Sequence, residues 1–356
     1  MALFSPLRLR QLVLRNRIAV SPMCMYSSPD GAPNDWHFVH LGSRAVGGAG
    51  LVIVEATAVT PDGRISPLDL GIWNDAQASQ YERITRFIRE QGAAAGIQLA
   101  HAGRKASTSP PWFGGKPVPP EQGGWSPVRA PSALPFNKES PTTTALTEAE
   151  IGGLIQAFVD AARRAHRVGF QVVELHMAHG YLLHEFLSPL TNKREDRYGG
   201  SFENRVRFPL EVARAVRAVW PADLPLLVRI SATDWHEGGW DLDQSIDFAK
   251  RLKEVGVDVV DCSSGGLLGS VFIPAKPHYQ VPFAQAIREK AGIATAAVGL
   301  ITDPRAANDI VVKGEADLVL LARELLRDPY WPLRAATELK VDGPWPNQYL
   351  RAKPAL

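Results

Sequence analysis

The sequence predicts a (β/α)8 barrel, the TIM-barrel architecture, filling a single domain over residues 1–356. Three observations predict it. Eight short apolar runs recur along the chain, helical stretches with readable start and stop signals separate them, and polar or reactive residues follow most of the runs. The runs expected as strands are 18–21, 51–55, 95–99, 172–175, 226–230, 259–263, 294–297 and 318–321. Each is bounded by Gly, Pro or polar residues, as strands buried on both faces should be.

The intervening helices carry their own punctuation. Thr147 and Glu150 form a capping box, which opens a helix expected to run to about Val168 and to stop at Gly169. Asp303 followed by Pro304 reads as an N-cap with proline in the first helical position. Eight strands alternating with helices argue for a parallel sheet, and eight units favour closure over an open sheet. One stretch breaks the rhythm: residues 107–141, after the third run, are crowded with Pro and Gly. A long excursion there falls at the C-terminal face of a barrel, as a lid or wall. The tail 343–356, rich in Pro and aromatic residues, is expected to be extended and packed on something.

The totals agree. The chain has 356 residues, and a (β/α)8 barrel routinely occupies ~250 or more as one unit. Hydrophobic residues make up 45% and charged residues 21%, ordinary for a soluble protein with a full-sized core. Lys and Arg exceed Asp and Glu by 39 − 37 = +2, and the basic residues are scattered, so neither a nucleic-acid nor a membrane surface is indicated. Cys24 and Cys262 cannot supply a disulfide framework. The first residues lack the apolar core of a secretory signal, and no apolar run approaches ~18 residues. A cytoplasmic location is expected.

The chemistry gathers after the strands. Pro22-Met23-Cys24-Met25-Tyr26 follows the first and Ala56-Thr57 the second. The third ends in Gln98-Leu99-Ala100-His101, the fourth delivers His176, His179 and Tyr181, the fifth ends near Arg229, and Arg323 follows the eighth. Reactive groups at the C-terminal ends of several strands are what a barrel active site looks like.

Four segments make a resemblance specific: SPMCMY (21–26), QLAHAGRKA (98–106), HMAHGYLLHEFLSPLTNKREDRYGGSFENR (176–205) and ARELLRDPYW (322–331). Together they resemble the old yellow enzyme family, and the cysteine in SPMC resembles its thermophilic-like branch of NADPH dehydrogenases and xenobiotic reductases. The resemblance implies bound FMN and reduction by NADPH or NADH. It places Ser21, Pro22, Met23, Cys24 and Ala56 beside the flavin ring, with Cys24 tuning its potential. Gln98 would meet the pyrimidine edge, and Arg229 the edge where reduction places negative charge. Arg323 would hold the phosphate with the main chain of Gly299, Leu300 and Ala322, after strands seven and eight where barrels bind phosphate. Many members carry glycine where this chain has Ala322.

In the same reading His176 and His179 grip the oxygen of an enone or nitro compound, so that the conjugated carbon accepts hydride. Tyr181 would return the proton, a phenol of ordinary pKa about 10 being a weak acid suited to a basic carbanion. Tyr26 would line the substrate pocket. A zinc reading of His-x-x-His lacks an Asp, Glu or Cys at third-ligand spacing, and no metal is expected. The alternatives are other FMN barrels. A tRNA dihydrouridine synthase would need a basic face, and a dienoyl-CoA reductase needs four cluster thiolates where this chain has two cysteines. A dihydroorotate dehydrogenase-like enzyme stays open. The resemblance also implies a homodimer or a tetramer of dimers, in which Arg351, with Tyr349 beside it, reaches the neighbour's site.

Overall fold

The computed structural model describes residues 2–355. Eight parallel strands close into a barrel in chain order: β1 Ile18–Val20, β2 Leu51–Ala58, β3 Ala94–Ala100, β4 Val172–Met177, β5 Leu226–Ser231, β6 Val259–Ser263, β7 Ala294–Ala297 and β8 Leu318–Leu321. All eight expected runs are strands, and β8 pairs with β1 through Leu320 and Ala19 to shut the ring. Their residues are almost all buried, because helices cover the outer face while side chains fill the inside.

The helix signals work as read. Thr147 Oγ1 accepts from Glu150 N at 3.2 Å while Glu150 Oε2 accepts from Thr147 N at 2.8 Å, and the helix Glu148–Arg167 ends before Gly169 at φ +90°. Asp303 Oδ1 accepts from Ala306 N at 2.8 Å at the head of Pro304–Val312.

Three features depart from the sequence reading. Leu7–Leu9 and Leu12–Leu14 form an antiparallel hairpin that the three-residue strands were too short to announce. Its Leu9 and Leu14 join Leu51, Val172, Leu227, Val259 and Leu318 in one apolar cluster that seals the N-terminal end of the barrel. Within and just beyond the excursion, Val128–Ala130 pairs in parallel with Thr143–Ala145. The tail is not wholly extended: Asn347–Ala352 form a 3-10 helix with no buried residue. Among the described residues no helix is long and apolar enough to cross a membrane.

Candidate functional site

The chain leaves β1 across the C-terminal mouth as Ser21–Tyr26, fastened at both ends. Ser21 N donates to Leu321 O on β8 at 3.0 Å, and Met25 N donates to Glu55 Oε2 at 2.9 Å. Glu55 stands where the pairing of β2 with β3 slips between Val54 and Ala56, and such an irregularity re-aims a side chain. Its other oxygen faces His37 Nε2 at 3.4 Å, and His37 Nδ1 accepts from Asn34 N in the cap of the helix Asp35–Val46. Cys24, half-buried, lies against the main chain of Ala56. Burial, then the charges of Asp69 and Glu55, push its thiol well up, so it remains protonated at neutral pH. Pro22 is partly buried and Met23 packs on the main core. Tyr26 follows in the left-handed region at φ +49°, its hydroxyl pushed up chiefly by burial.

Inside the barrel the register assembles a polar layer. Gln98 on β3 sits opposite Glu174 on β4, His176 opposite Arg229 on β5, and Arg229 opposite Asp261 on β6. Gln98 Nε2 donates to Glu174 Oε1 at 2.8 Å, and Arg229 donates to Ser21 Oγ at 2.8 Å while its Nε lies 3.2 Å from Asp261. Burial raises the Glu174 and Asp261 carboxyls, while Arg229 opposes the rise. Glu174 Oε2, His176 Nδ1 and Asp261 Oδ1 are buried without a protein hydrogen-bond partner. Buried polar atoms are nearly always partnered, so such a group suits a polar ligand.

The histidine loop is tightly built. The rings of His176 and His179 meet edge-on with centroids 5.2 Å apart, and His176 meets Tyr181 at 5.0 Å. His179 N donates to Ser231 Oγ at 2.9 Å, and its Nε2 lies 2.7 Å from Ser263 Oγ. Burial, then the nearby Arg229, hold both imidazoles well below the usual histidine range, so both are neutral at working pH. Gly180 is required here: its φ is +73°, and a Cβ would stand 2.3 Å from Gly266 O. Lys105 Nζ donates to His179 O at 2.9 Å and Gly266 O at 3.0 Å, and rests 5.0 Å from the Tyr181 ring centre. Burial lowers this ammonium to about 8 and pushes the Tyr181 phenol up.

Beside this mouth, after β7 and β8, a cavity of about 220 Å³ is lined by Arg229, Tyr279, Gln280, Gly299, Ala322 and Arg323 among others. Gly299 stands at φ +129°, and a Cβ there would press on Gln280 Nε2 at 2.9 Å. Main-chain amides and Arg323 together suit a phosphate. Ala322, at the position where many members of the resembled family carry glycine, stands at φ −107° and needs no left-handed backbone. A larger hollow of about 770 Å³, around Arg86, Arg89 and Arg167, shares no residue with this mouth.

Ser21, Pro22, Met23, Cys24, Tyr26, Ala56, Gln98, His176, His179, Tyr181 and Arg229 are thus brought to one mouth, with Gly299, Ala322 and Arg323 adjoining through Arg229. Arg351 is not: it is exposed on the tail, where Tyr349 meets Tyr330 with hydroxyls 3.4 Å apart, so within one chain it has no part in the site. Sequence reasoning passed over Glu174, Asp261, Glu55, Ser263 and Lys105. A signal existed for two: Glu174 stands two residues before His176 on a strand, hence on the same face, and Asp261 is a charge inside the apolar run VVDCS.

A closed parallel barrel with such a mouth and an adjoining anion corner can seat a phosphate-bearing group beside reactive side chains at the C-terminal ends of the strands. Residues 2–342 match the NADH:flavin oxidoreductase / NADH oxidase family, and the chain belongs to it, within the old yellow enzyme group. It is 53% identical over 351 residues to an NADPH dehydrogenase of Geobacillus thermodenitrificans, covering 98% of each chain. An NADPH dehydrogenase of Bacillus subtilis is 48% identical over 351 residues, again with 98% of each covered. The structure of morphinone reductase superposes with a TM-score of 0.80 at 29% identity, covering 96% of this chain and 90% of that one.

Proposed function

We propose that this protein is an FMN-dependent ene-reductase of the cytoplasm. It takes hydride from NADPH (or NADH) and delivers it, in a second half-reaction at the same site, to a C=C bond conjugated with a carbonyl or nitro group. The observation that carries this reading is the buried, neutral pair His176 and His179 beside Tyr181 at the barrel mouth.

FMN fits the residues present: Arg323 and the main chain around Gly299 and Ala322 for its phosphate, and Ser21, Pro22, Met23, Cys24, Ala56, Gln98 and Arg229 around its ring. When bound, it supplies the hydride acceptor and donor. Arg229 would hold positive charge against the ring and, through Ser21, steadies the segment that carries Cys24. Cys24, kept protonated, can donate its S–H to the ring edge. Gln98 is held in one orientation because its amide N–H₂ is engaged by Glu174, which leaves its carbonyl as the acceptor.

Toward the acceptor, His176 and His179 offer N–H groups to its oxygen, where negative charge develops as hydride arrives at the far carbon. Preorganised neutral donors in a water-poor site are worth more than the same donors in water. Tyr181 then gives its phenolic proton to the carbon next to the carbonyl. Lys105 fixes the carbonyls of His179 and Gly266 and sits over that ring, so the phenol and histidines stay in register. Tyr26 lines the pocket on the Cys24 side. A homodimer, or a tetramer of dimers, is part of the proposal: exposed Tyr349, Leu350 and Arg351 are free to reach a second copy.

Heat-released flavin analysed by mass spectrometry will give FMN at one equivalent per chain. FAD, a covalent flavin or no flavin at all overturns the cofactor reading.

A further inference from the structure

We propose that Trp112 and Tyr26 form a subsite for a flat aromatic group on the electron acceptor, so that aryl-substituted enones are a preferred substrate class. The proposal rests on reading the mouth as the acceptor site.

Trp112 belongs to the Pro/Gly-rich excursion after β3 and stands over the segment that follows β1. Its ring meets that of Tyr26 with centroids 5.6 Å apart and planes at 86°. Two rings at right angles make a notch. A planar guest can lay its face on one and its edge against the other, the arrangement aromatic pairs favour. Tyr26 is two residues from Cys24, on the segment fastened across the barrel mouth where Met25 N donates to Glu55 Oε2 at 2.9 Å. The notch therefore opens beside the groups assigned to the acceptor.

Trp112 is 61% exposed and its neighbour Phe113 69% exposed, so the notch is unfilled by this chain. Exposed aromatic surface of this kind, packed against the segment that crosses the barrel mouth, marks a place for a partner or ligand. The turn that presents it is not slack. Ser107 is buried; its Oγ donates to Val118 O at 3.0 Å and accepts from Trp125 N at 2.8 Å. Ser109 N donates to Lys116 O at 2.7 Å, and Val118 N to Ser107 O at 2.8 Å, closing the loop on itself. The Trp125 indole N–H reaches Asp62 O at 3.1 Å, and Arg64 lies between Trp73 and Trp125 at 5.2 and 5.0 Å. The excursion is thus tied to the loop after β2. A wall held in place before binding loses little freedom when a ligand arrives. Lys105 rests over both Tyr181 and Phe136, 5.0 and 4.9 Å from their ring centres, which continues the aromatic lining. A neutral, flat aryl group is the chemistry that matches.

The test uses the holoenzyme and its Trp112→Ala and Trp112→Phe variants with two acceptors, benzylideneacetone and cyclohexenone, and two dead-end ligands, naphthol and phenol, titrated by their effect on the oxidised flavin spectrum. Trp112→Ala should raise KM for benzylideneacetone and the dissociation constant of naphthol about tenfold, while cyclohexenone and phenol move by less than about twofold. Trp112→Phe should recover most of the loss. Equal shifts for large and small ligands, or none, overturn the subsite. If neither acceptor reoxidises the reduced wild type, the ene-reductase reading fails instead. The naphthol-to-phenol ratio then still decides whether the notch binds aromatic rings.

Discussion

Replacing His176 and His179 together with alanine should slow reoxidation of the reduced enzyme by an enone about 1,000-fold or more, with flavin still bound. Removal of a single preorganised donor to a developing oxyanion costs about 100- to 1,000-fold, and here both donors go. Flavin reduction by NADPH should suffer far less, because hydride departure from a nicotinamide develops no charge on the acceptor's oxygen. The wild-type pH profile carries a second expectation. Burial and Arg229 hold both imidazoles below the ordinary value of about 6.5, so the reoxidation rate should show no histidine limb between pH 8 and 6.5. The same depression means the unfolded chain binds more protons than the native one below about pH 6.5, and stability should fall as pH drops through that value. If the double variant loses flavin but keeps its turnover per remaining flavin, the histidines only support the loop.

Arg229→Leu should remove flavin affinity and destabilise the fold by about 3–5 kcal/mol, the usual result of stripping the partner from a buried charge. Asp261 is fully buried and Arg229 nearly so, and Arg229 is the one influence that pulls the Asp261 carboxyl down against burial. Without it the folded-state pKa of Asp261 rises further above its unfolded value near 3.9. The variant then binds a proton on folding, and its deficit should grow as pH rises from about 5.5 to 8. Thermal melts of both proteins at the two pH values measure this. A deficit that is small, or independent of pH, would show that Asp261 does not need the guanidinium.

How much of this was legible in the sequence follows from where each signal lives. The eight strands were readable because both faces are buried and the runs are largely apolar, as at Leu318–Leu321. The caps at Thr147 and Asp303 were readable because capping is local. The hairpin of Leu7–Leu9 and Leu12–Leu14 was not, since three residues are too few to show a period and its purpose, sealing the barrel floor, is tertiary. Cys24 and His176 stood out by following apolar runs, and Gln98 and Arg229 as polar residues near the ends of such runs. Glu55 did not, because its role depends on a slip in strand pairing and on His37 from a neighbouring helix. The notch at Trp112 joins residues 86 positions apart, a distance that no local pattern spans.

The proposed function requires one bound flavin to carry hydride from a nicotinamide to an activated alkene. Anaerobic stopped-flow spectroscopy tests it most directly. The flavin absorbance of the purified protein should bleach when mixed with NADPH, and a second mix with cyclohexenone should restore it at a rate that depends on enone concentration. A reduced enzyme that stays bleached in the presence of cyclohexenone, benzylideneacetone and a nitroalkene would contradict the account.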